Sequence, residues 1–364
     1  MKLKRFIKNN FTKVTYALFS VLLLSVIIFI ISLLSSGFAD FYTQYIGGSI
    51  RIVLSKITGI LPFSLGETIF LCVPLFIVAV IVRLNYVTNH QPENYGRFLI
   101  HLISVVLVMA SLFLLSFAPA YKCTSLDLRL GLNKDDVDVQ TLENTAMILN
   151  SEIEKATEGI EYKANGASVM PYDYSELNVK LNNAYDTVCE KYAFIQNFQS
   201  DVKLLAVSPV MTYTHISGFY AYYTGEANLN FNYPDYTAPY TMAHEMAHQR
   251  GFAREDEANF IAFLVCINSD DDYIKYSGYQ SILEYVLDAY YTADRDGYWN
   301  LISQINLKSR SEMTSFSEFF EKYENSGAAK VSNAVNDTVL KASGQKAGAR
   351  SYGLVVDLAC AYYK

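Results

Sequence analysis

The chain has 364 residues, half of them apolar, with Tyr and Phe abundant and a positive mean hydropathy; the length suits two domains, and the balance points to membrane segments. A formal net charge of −7 excludes a nucleic-acid partner, because no basic field exists to neutralise phosphates. The five cysteines (Cys72, Cys123, Cys189, Cys266 and Cys360) contain no CxxC pair, so a cysteine zinc site is not expected and free buried thiols are.

The amino-terminal third reads as membrane. Residues 14–36, VTYALFSVLLLSVIIFIISLLSS, carry no charge and are long enough to cross a bilayer. The run is too long for a signal-peptide core and no small-residue cleavage site follows, so a retained anchor is expected. Between it and the next run, IGGSIRIVLSKITGILPFSLGE is apolar at helical spacing, broken by Arg51 and Lys56. This piece either lies flat in the outer interface or packs as an ordinary loop helix. The second run begins at Glu67 and reaches spanning length if it continues to about Tyr86. Residues 98–120, interrupted only by His101, form the third. Lys2, Lys4, Arg5, Lys8 and Lys13 crowd the amino terminus, and Arg83 and Arg97 flank the second loop. The positive-inside rule then makes the amino terminus cytoplasmic and puts residues 121–364 on the outer face of a bacterial cell membrane, provided the second run crosses.

From Tyr121 charges become frequent and apolar residues periodic. DVQTLENTAMILNSEIEKATEGI and SELNVKLNNAYDTVCEKYAFI read as amphipathic helices. LLAVSPVMTYTHISGFYAYYT is rich in β-branched and aromatic residues and reads as one or two strands. The stretch around Val210 to Tyr223 is a candidate edge for an extended peptide, with His215 on it as a structural histidine. Glu226, Asn228 and Asn230 read as a loop near the site entrance. A helix is expected from Pro239 to Arg250, ended by Gly251. A second begins near Arg254, and further helices cover about 273–293, 297–307 and 312–342. GARSYGLVVDLACAYY reads as a turn and a helix. The expected fold is mainly α with a small β-sheet (α+β): a three-helix transmembrane region over residues 1–120, then a helical domain over 121–364.

TMAHEMAHQRGFAREDEANF, residues 241–260, carries the chemistry. His244 and His248, four apart, project from one helix face one turn apart, so both imidazoles reach one ion. Glu245 beside them stands where a general base takes a proton from water activated by zinc. A zinc site also needs a third protein ligand. Glu255 is that residue on the next helix, sharing a face with Asn259, which then holds an imidazole N–H from behind the ligands. Glu257, about 200° around the helix, is the alternative third ligand. Candidates to stabilise an oxyanion are Tyr276, Tyr279, Arg350 and, in a Gly-flanked turn, Tyr352.

HExxH followed by E-x-x-A-N on a second helix resembles the gluzincin metallopeptidases, which include thermolysin and the membrane-bound heat-shock and prenyl-protein proteases. The resemblance implies a zincin-like domain with His244, His248 and Glu255 as zinc ligands, Glu245 as base and Asn259 in place of the orienting Asp. The gap between His248 and Glu255 is much shorter than in thermolysin and requires a very tight turn at Gly251. The metzincins' third histidine would fall at Arg254, which cannot bind zinc. Over nearly its full length the chain resembles an uncharacterised bacterial family of membrane-anchored zincin-like proteins, through its three hydrophobic segments, PFSLGE (Pro62 to Glu67), His244 to Phe260, YSGY (276–279) and SYG (351–353).

The expected activity is hydrolysis of peptide or protein substrates by a zinc metallopeptidase held in the lipid bilayer. The alternative is a non-catalytic zinc-binding ectodomain acting as sensor or scaffold, against which stands Glu245, a carboxylate a structural site does not need. The polar flanks DYTAPYT and QRGFARED disfavour an intramembrane protease.

Overall fold

The computed structural model describes residues 6–7, 9–134, 137–324, 326–342 and 353–364. They divide into two compact units, one of residues 1–123 with 221–225, the other of 124–220 with 226–364.

In the first unit the helices are α1 (Lys13–Leu34), α2 (Ser36–Phe41), α3 (Gly48–Gly59), α4 (Leu65–His90) and α5 (Tyr95–Ser116), with a π-helical turn, Tyr42–Gly47, before α3. Three segments are long and apolar enough to cross a membrane: Lys13–Leu34, Leu65–His90 and Pro92–Ser116. Their burial is inverted relative to a water-soluble helix. In α1 the buried residues are Thr15, Ser25 and Ser32, while Leu23, Ile27 and Ile30 are exposed. Lipid tails are as apolar as leucine, so polar groups turn inward instead. The same inversion settles α3: Arg51, Ser55 and Thr58 face inward, and Val53 and Ile57 face out. Arg51 is therefore a buried anchor. Its guanidinium donates to Ser116 O at 2.8 Å and Thr43 O at 2.9 Å, and Tyr42 OH donates to Leu115 O at 3.0 Å. Ser116 O and Leu115 O are carbonyls that the end of α5 leaves without helical partners. Residues 221–225 pack within this unit: Thr58 Oγ1 donates to Thr224 O and Tyr223 OH to Gly66 O, both at 3.2 Å. Gly225 has φ +73°, and a Cβ there would lie 2.7 Å from Leu54 Cβ, so glycine is required twice over.

The second unit is mainly helical with a small sheet: α6 (Leu126–Leu130), α7 (Val139–Ala156), α8 (Tyr174–Lys191), β1 (Lys203–Leu204), α9 (Ser208–Met211), β2 (Gly218–Ala221), β3 (Glu226–Leu229), α10 (Thr237–Gln249), α11 (Glu255–Ile267), α12 (Asp272–Ala293), α13 (Arg295–Gln304), α14 (Leu307–Phe320), α15 (Gly327–Ala342) and α16 (Val355–Tyr363). Strand order is β1-β3-β2, with β1 parallel to β3 in the register Lys203↔Asn228 and Leu204↔Leu229. The core joins α10 and α11 to α7, α8, α12 and α16 through Leu149, Leu181, Tyr185, Met246, Phe260 and Phe263.

Three expectations are corrected. Val210 to His215 is not strand. Pro209 opens the short helix α9, where its missing N–H costs nothing. A 3-10 turn, Thr212–Thr214, follows, and His215 caps it with φ 58°, its Nε2 3.1 Å from Tyr323 O. Glu226 to Leu229 is not a loop but the central strand β3, buried at all four positions. Burial on both faces removes the alternation by which a strand is recognised. The helix expected over 312–342 is two, α14 and α15. Ser326 Oγ accepts from Ala328 N and Ala329 N at 3.1 and 3.3 Å, a helix start inside the periodic run. Among the described residues all five cysteines are free, Cys72 exposed and the others buried.

The segment YSGY seats α12 on the site-bearing helices. Ser277 Oγ donates to Tyr236 O and accepts from Tyr240 N at 3.1 Å, using a donor from the first turn of α10. Gly278 lets α12 close on α11, for a Cβ there would overlap the Cβ of Cys266. Gly278→Ala gains about 1 kcal/mol of helix propensity and forfeits about 2–3 kcal/mol to the collision, for a net loss of about 1–2 kcal/mol. Thermal unfolding of the full chain in detergent measures it, and adding Cys266→Gly restores part.

Candidate metal centre

α10 carries His244 and His248 on one face, their ring centroids 4.6 Å apart. The helix ends at a left-handed glycine, Gly251, with φ +94°. Gly251 N donates to His248 O at 2.9 Å and Phe252 N to Ala247 O at 3.1 Å, closing the last carbonyls. The same turn orients a histidine: His248 Nδ1 lies 2.7 Å from Phe252 O. With Nδ1 engaged there, Nε2 is the atom left to face Glu255. Three residues later α11 begins at Glu255, so the short gap brings the carboxylate back over the two rings.

The donor atoms of His244, His248 and Glu255 lie within 4.8 Å of one another, all three residues buried. His244 Nε2 is 3.3 Å and His248 Nε2 3.5 Å from Glu255 Oε2, yet Oε2 has no properly directed hydrogen bond. Bonds of about 2.0–2.2 Å at a tetrahedral ion put neighbouring ligand atoms about 3.4 Å apart. The two measured distances and the unpaired Oε2 thus fit a small cation held between these residues, and a two-imidazole, one-carboxylate set suits zinc.

The charges are coupled. Burial disfavours the Glu255 carboxylate, but the charge of His248 and the close approach of both imidazoles outweigh it and hold the carboxyl well below its usual range. Burial disfavours His248 imidazolium too, but Glu255 outweighs it and raises His248 to about 9. At His244 burial wins and the pKa falls. The metal-free cluster is therefore a His248–Glu255 ion pair beside a neutral His244.

Glu245 is 4% exposed, with Oε2 lacking a hydrogen-bond partner. It packs against β2, where a Cβ on Gly218 would stand 2.8 Å from Glu245 Oε1. Burial pushes its pKa up to about 8, opposed by His248. Asn259, one turn beyond Glu255, holds Tyr240 OH on its backbone oxygen at 3.1 Å, and its side chain lies beside the His244 ring. Glu257 is engaged elsewhere: it accepts Leu126 N at 2.6 Å and pairs with Arg254. Tyr276 donates to Glu312 at 3.0 Å, and Tyr279 packs edge-on to Phe263. Arg350 and Tyr352 lie outside the described residues. Two neighbours of the cluster carried no sequence signal: Gly218, and Tyr285 on α12, whose hydroxyl is pushed up to about 12 by burial and then by the Glu255 charge.

The residues after the second histidine are structural. Arg250 lies between the Tyr185 and Phe198 rings, its Cζ 3.7 and 4.5 Å from their centroids. It donates to Ser200 Oγ at 2.8 Å and Phe198 O at 2.7 Å, while Ser200 Oγ donates to Gln249 Oε1 at 2.6 Å. The pair ties the 198–200 loop to the end of α10, beneath the cluster.

No curated protein matches the chain, and no solved structure does. One family model does match, from residue 42 through the second and third apolar helices and the His244–Glu255 cluster to residue 360, so the chain belongs to the family described as "Protein of unknown function (DUF3810)".

Proposed function

We propose that this chain is a membrane-anchored zinc metallopeptidase, with His244, His248 and Glu255 as ligands and Glu245 as general base. The observation that carries the reading is that both imidazole Nε2 atoms lie 3.3 and 3.5 Å from a buried carboxylate oxygen that has no directed hydrogen bond. Zinc there supplies Lewis acidity, polarising a scissile carbonyl and making water nucleophilic near neutral pH. Glu245 accepts the proton of the attacking water and passes it to the departing amine, so an amide and a water become an acid and an amine. β2 is an edge strand, and its Gly218 touches Glu245. An extended peptide paired along that edge therefore runs beside the base. The lysine-rich amino terminus supports a cytoplasmic start and an outer-face domain.

The test uses the full chain in detergent: zinc content by elemental analysis, then cleavage of a mixed peptide library by wild type and Glu245→Gln. One zinc per chain, with cleavage lost in the variant, is the expected result. Zinc without cleavage in either leaves the sensor or scaffold ectodomain, and no zinc overturns both readings.

A further inference from the structure

The turn between β2 and β3 does not belong to the unit that carries the metal cluster. Ala221, the last residue of β2, and the turn 222–225 after it are part of the first unit. The turn is closed on itself: Thr224 N and Gly225 N both donate to Ala221 O, at 3.1 and 2.7 Å. Three helices of the first unit hold it. From α5, the Phe113 ring meets Tyr222 edge-on, with centroids 5.2 Å apart. From the first turn of α4, Gly66 O, within PFSLGE, accepts from Tyr223 OH at 3.2 Å. From α3, Leu54 and Ser55 close on Gly225, where a Cβ would stand 2.7 Å from Leu54 Cβ and 2.8 Å from Ser55 N. Ser64 fixes the end of α4 that presents Gly66. Its Oγ accepts from Glu67 N at 2.9 Å and its backbone oxygen from Thr68 Oγ1 at 2.8 Å, as a helix cap does. At its other end β2 meets the candidate base: a Cβ on Gly218 would lie 2.8 Å from Glu245 Oε1. A four-residue strand spans only about 10–13 Å, so a shift of the turn passes directly along β2.

We propose that the membrane unit does more than anchor the chain: through the turn 222–225 it holds β2 in place as the edge on which an extended peptide pairs, with Tyr223 and Gly225 as positioning residues. The inference rests on the reading that peptides pair along β2 beside Glu245, and deepens it. A short hairpin is marginal by itself and frays. Fixing its turn orders the edge before a peptide arrives, so less ordering is left for binding to offset. It also gives PFSLGE a role, that of presenting the Gly66 carbonyl to the turn.

Hydrogen exchange of the backbone amides of residues 218–221, in the full chain in detergent, reads this holding directly, without zinc or substrate. Tyr223→Phe removes one hydroxyl donor and is expected to speed that exchange by about 5-fold, the worth of one hydrogen bond. Gly225→Ala adds a Cβ to a left-handed residue already pressed by Leu54 and is expected to speed it by more than about 10-fold; should that variant not fold, Tyr223→Phe carries the test. Ser104→Ala, which removes only a bond from Ser104 Oγ to Ile100 O within α5, leaves exchange as in wild type. Zinc affinity by chelator competition stays within about 3-fold in all three, below the losses that follow a disturbed ligand partner. Peptide hydrolysis by the two turn variants weakens through a raised KM with kcat nearly kept, because pairing along the edge is made in the bound substrate and the transition state alike. If exchange at 218–221 is unchanged in Tyr223→Phe and Gly225→Ala, or Ser104→Ala speeds it equally, the inference falls whatever becomes of the peptidase reading. If exchange rises but KM stays at the wild-type value in a chain that cleaves peptide, the inference falls and the peptidase reading stands. A wild type that binds no zinc and cleaves no peptide removes the peptidase reading and the role in peptide pairing with it, while the exchange rates still decide whether the turn holds β2.

Discussion

Glu255→Gln is expected to weaken zinc binding by more than about 100-fold, beyond the range of outer-partner losses, without unfolding the chain. Glutamine keeps the shape of the side chain and one oxygen, but removes the buried charge that balances the cation. It also removes what holds the proton on His248, so that imidazole reverts to the neutral form rather than remaining a buried lone charge. The metal-free protein carries a pH signature of the same pair. His248, raised to about 9 by Glu255, contributes stability that is fully present below its unfolded pKa of about 6.5 and is lost as pH rises through about 9. Glu255, held below its usual range, contributes stability that is full above about 4.3 and is lost as pH falls through its lowered pKa. The pair therefore acts at full strength between about pH 4.5 and 6.5. A cation must displace the His248 proton, so zinc affinity climbs with pH until about 9 and then levels off. In Glu255→Gln the climb ends nearer the ordinary histidine range. Thermal unfolding of the metal-free chain from pH 4 to 10 and chelator competition over the same range measure both effects; a wild-type affinity flat above pH 7 would refute the ion-pair account.

How much of this was readable beforehand depends on the distance over which each cause acts. The three apolar helices follow from composition alone, because a run without charges needs no partner to be recognised. The convergence of His244, His248 and Glu255 follows from local geometry: a one-turn spacing, a glycine able to take φ +94°, and a helix start four residues after it. Between the two acidic candidates, helix rotation separates Glu255 from Glu257, but what engages Glu257 is Arg254 and the distant Leu126 amide. Tyr285 and Gly218 meet the cluster from other elements, and in a chain with 29 tyrosines no local pattern marks one. The central strand was missed for a related reason. Glu226 and Asn228 look like loop residues, yet the Asn228 side chain donates to Phe219 O and Glu226 O at 3.1 Å. Polar residues enter a buried strand when backbone carbonyls are there to receive them.

Glu245→Gln is expected to leave zinc affinity within a few-fold and to lower peptide hydrolysis by about 10²–10⁴-fold, the usual contribution of a positioned general base. The substitution is nearly isosteric, which matters because the side chain is 4% exposed and sits where Gly218 leaves room for nothing larger. Its carboxyl stands near 8 in the metal-free protein because burial penalises the charge. A divalent cation at the neighbouring ligands adds a strong opposite charge and brings that pKa down, so the base is ionised at neutral pH only when the site is loaded. Hydrolysis and zinc occupancy should then rise together with pH in wild type, while Glu245→Gln tracks occupancy without turnover. Gly218→Ala presses on the same carboxylate from β2 and is expected to reduce turnover while zinc stays bound. Equal turnover in wild type and Glu245→Gln at matched zinc occupancy would remove Glu245 from the mechanism and leave the cluster without a base among the groups placed beside it.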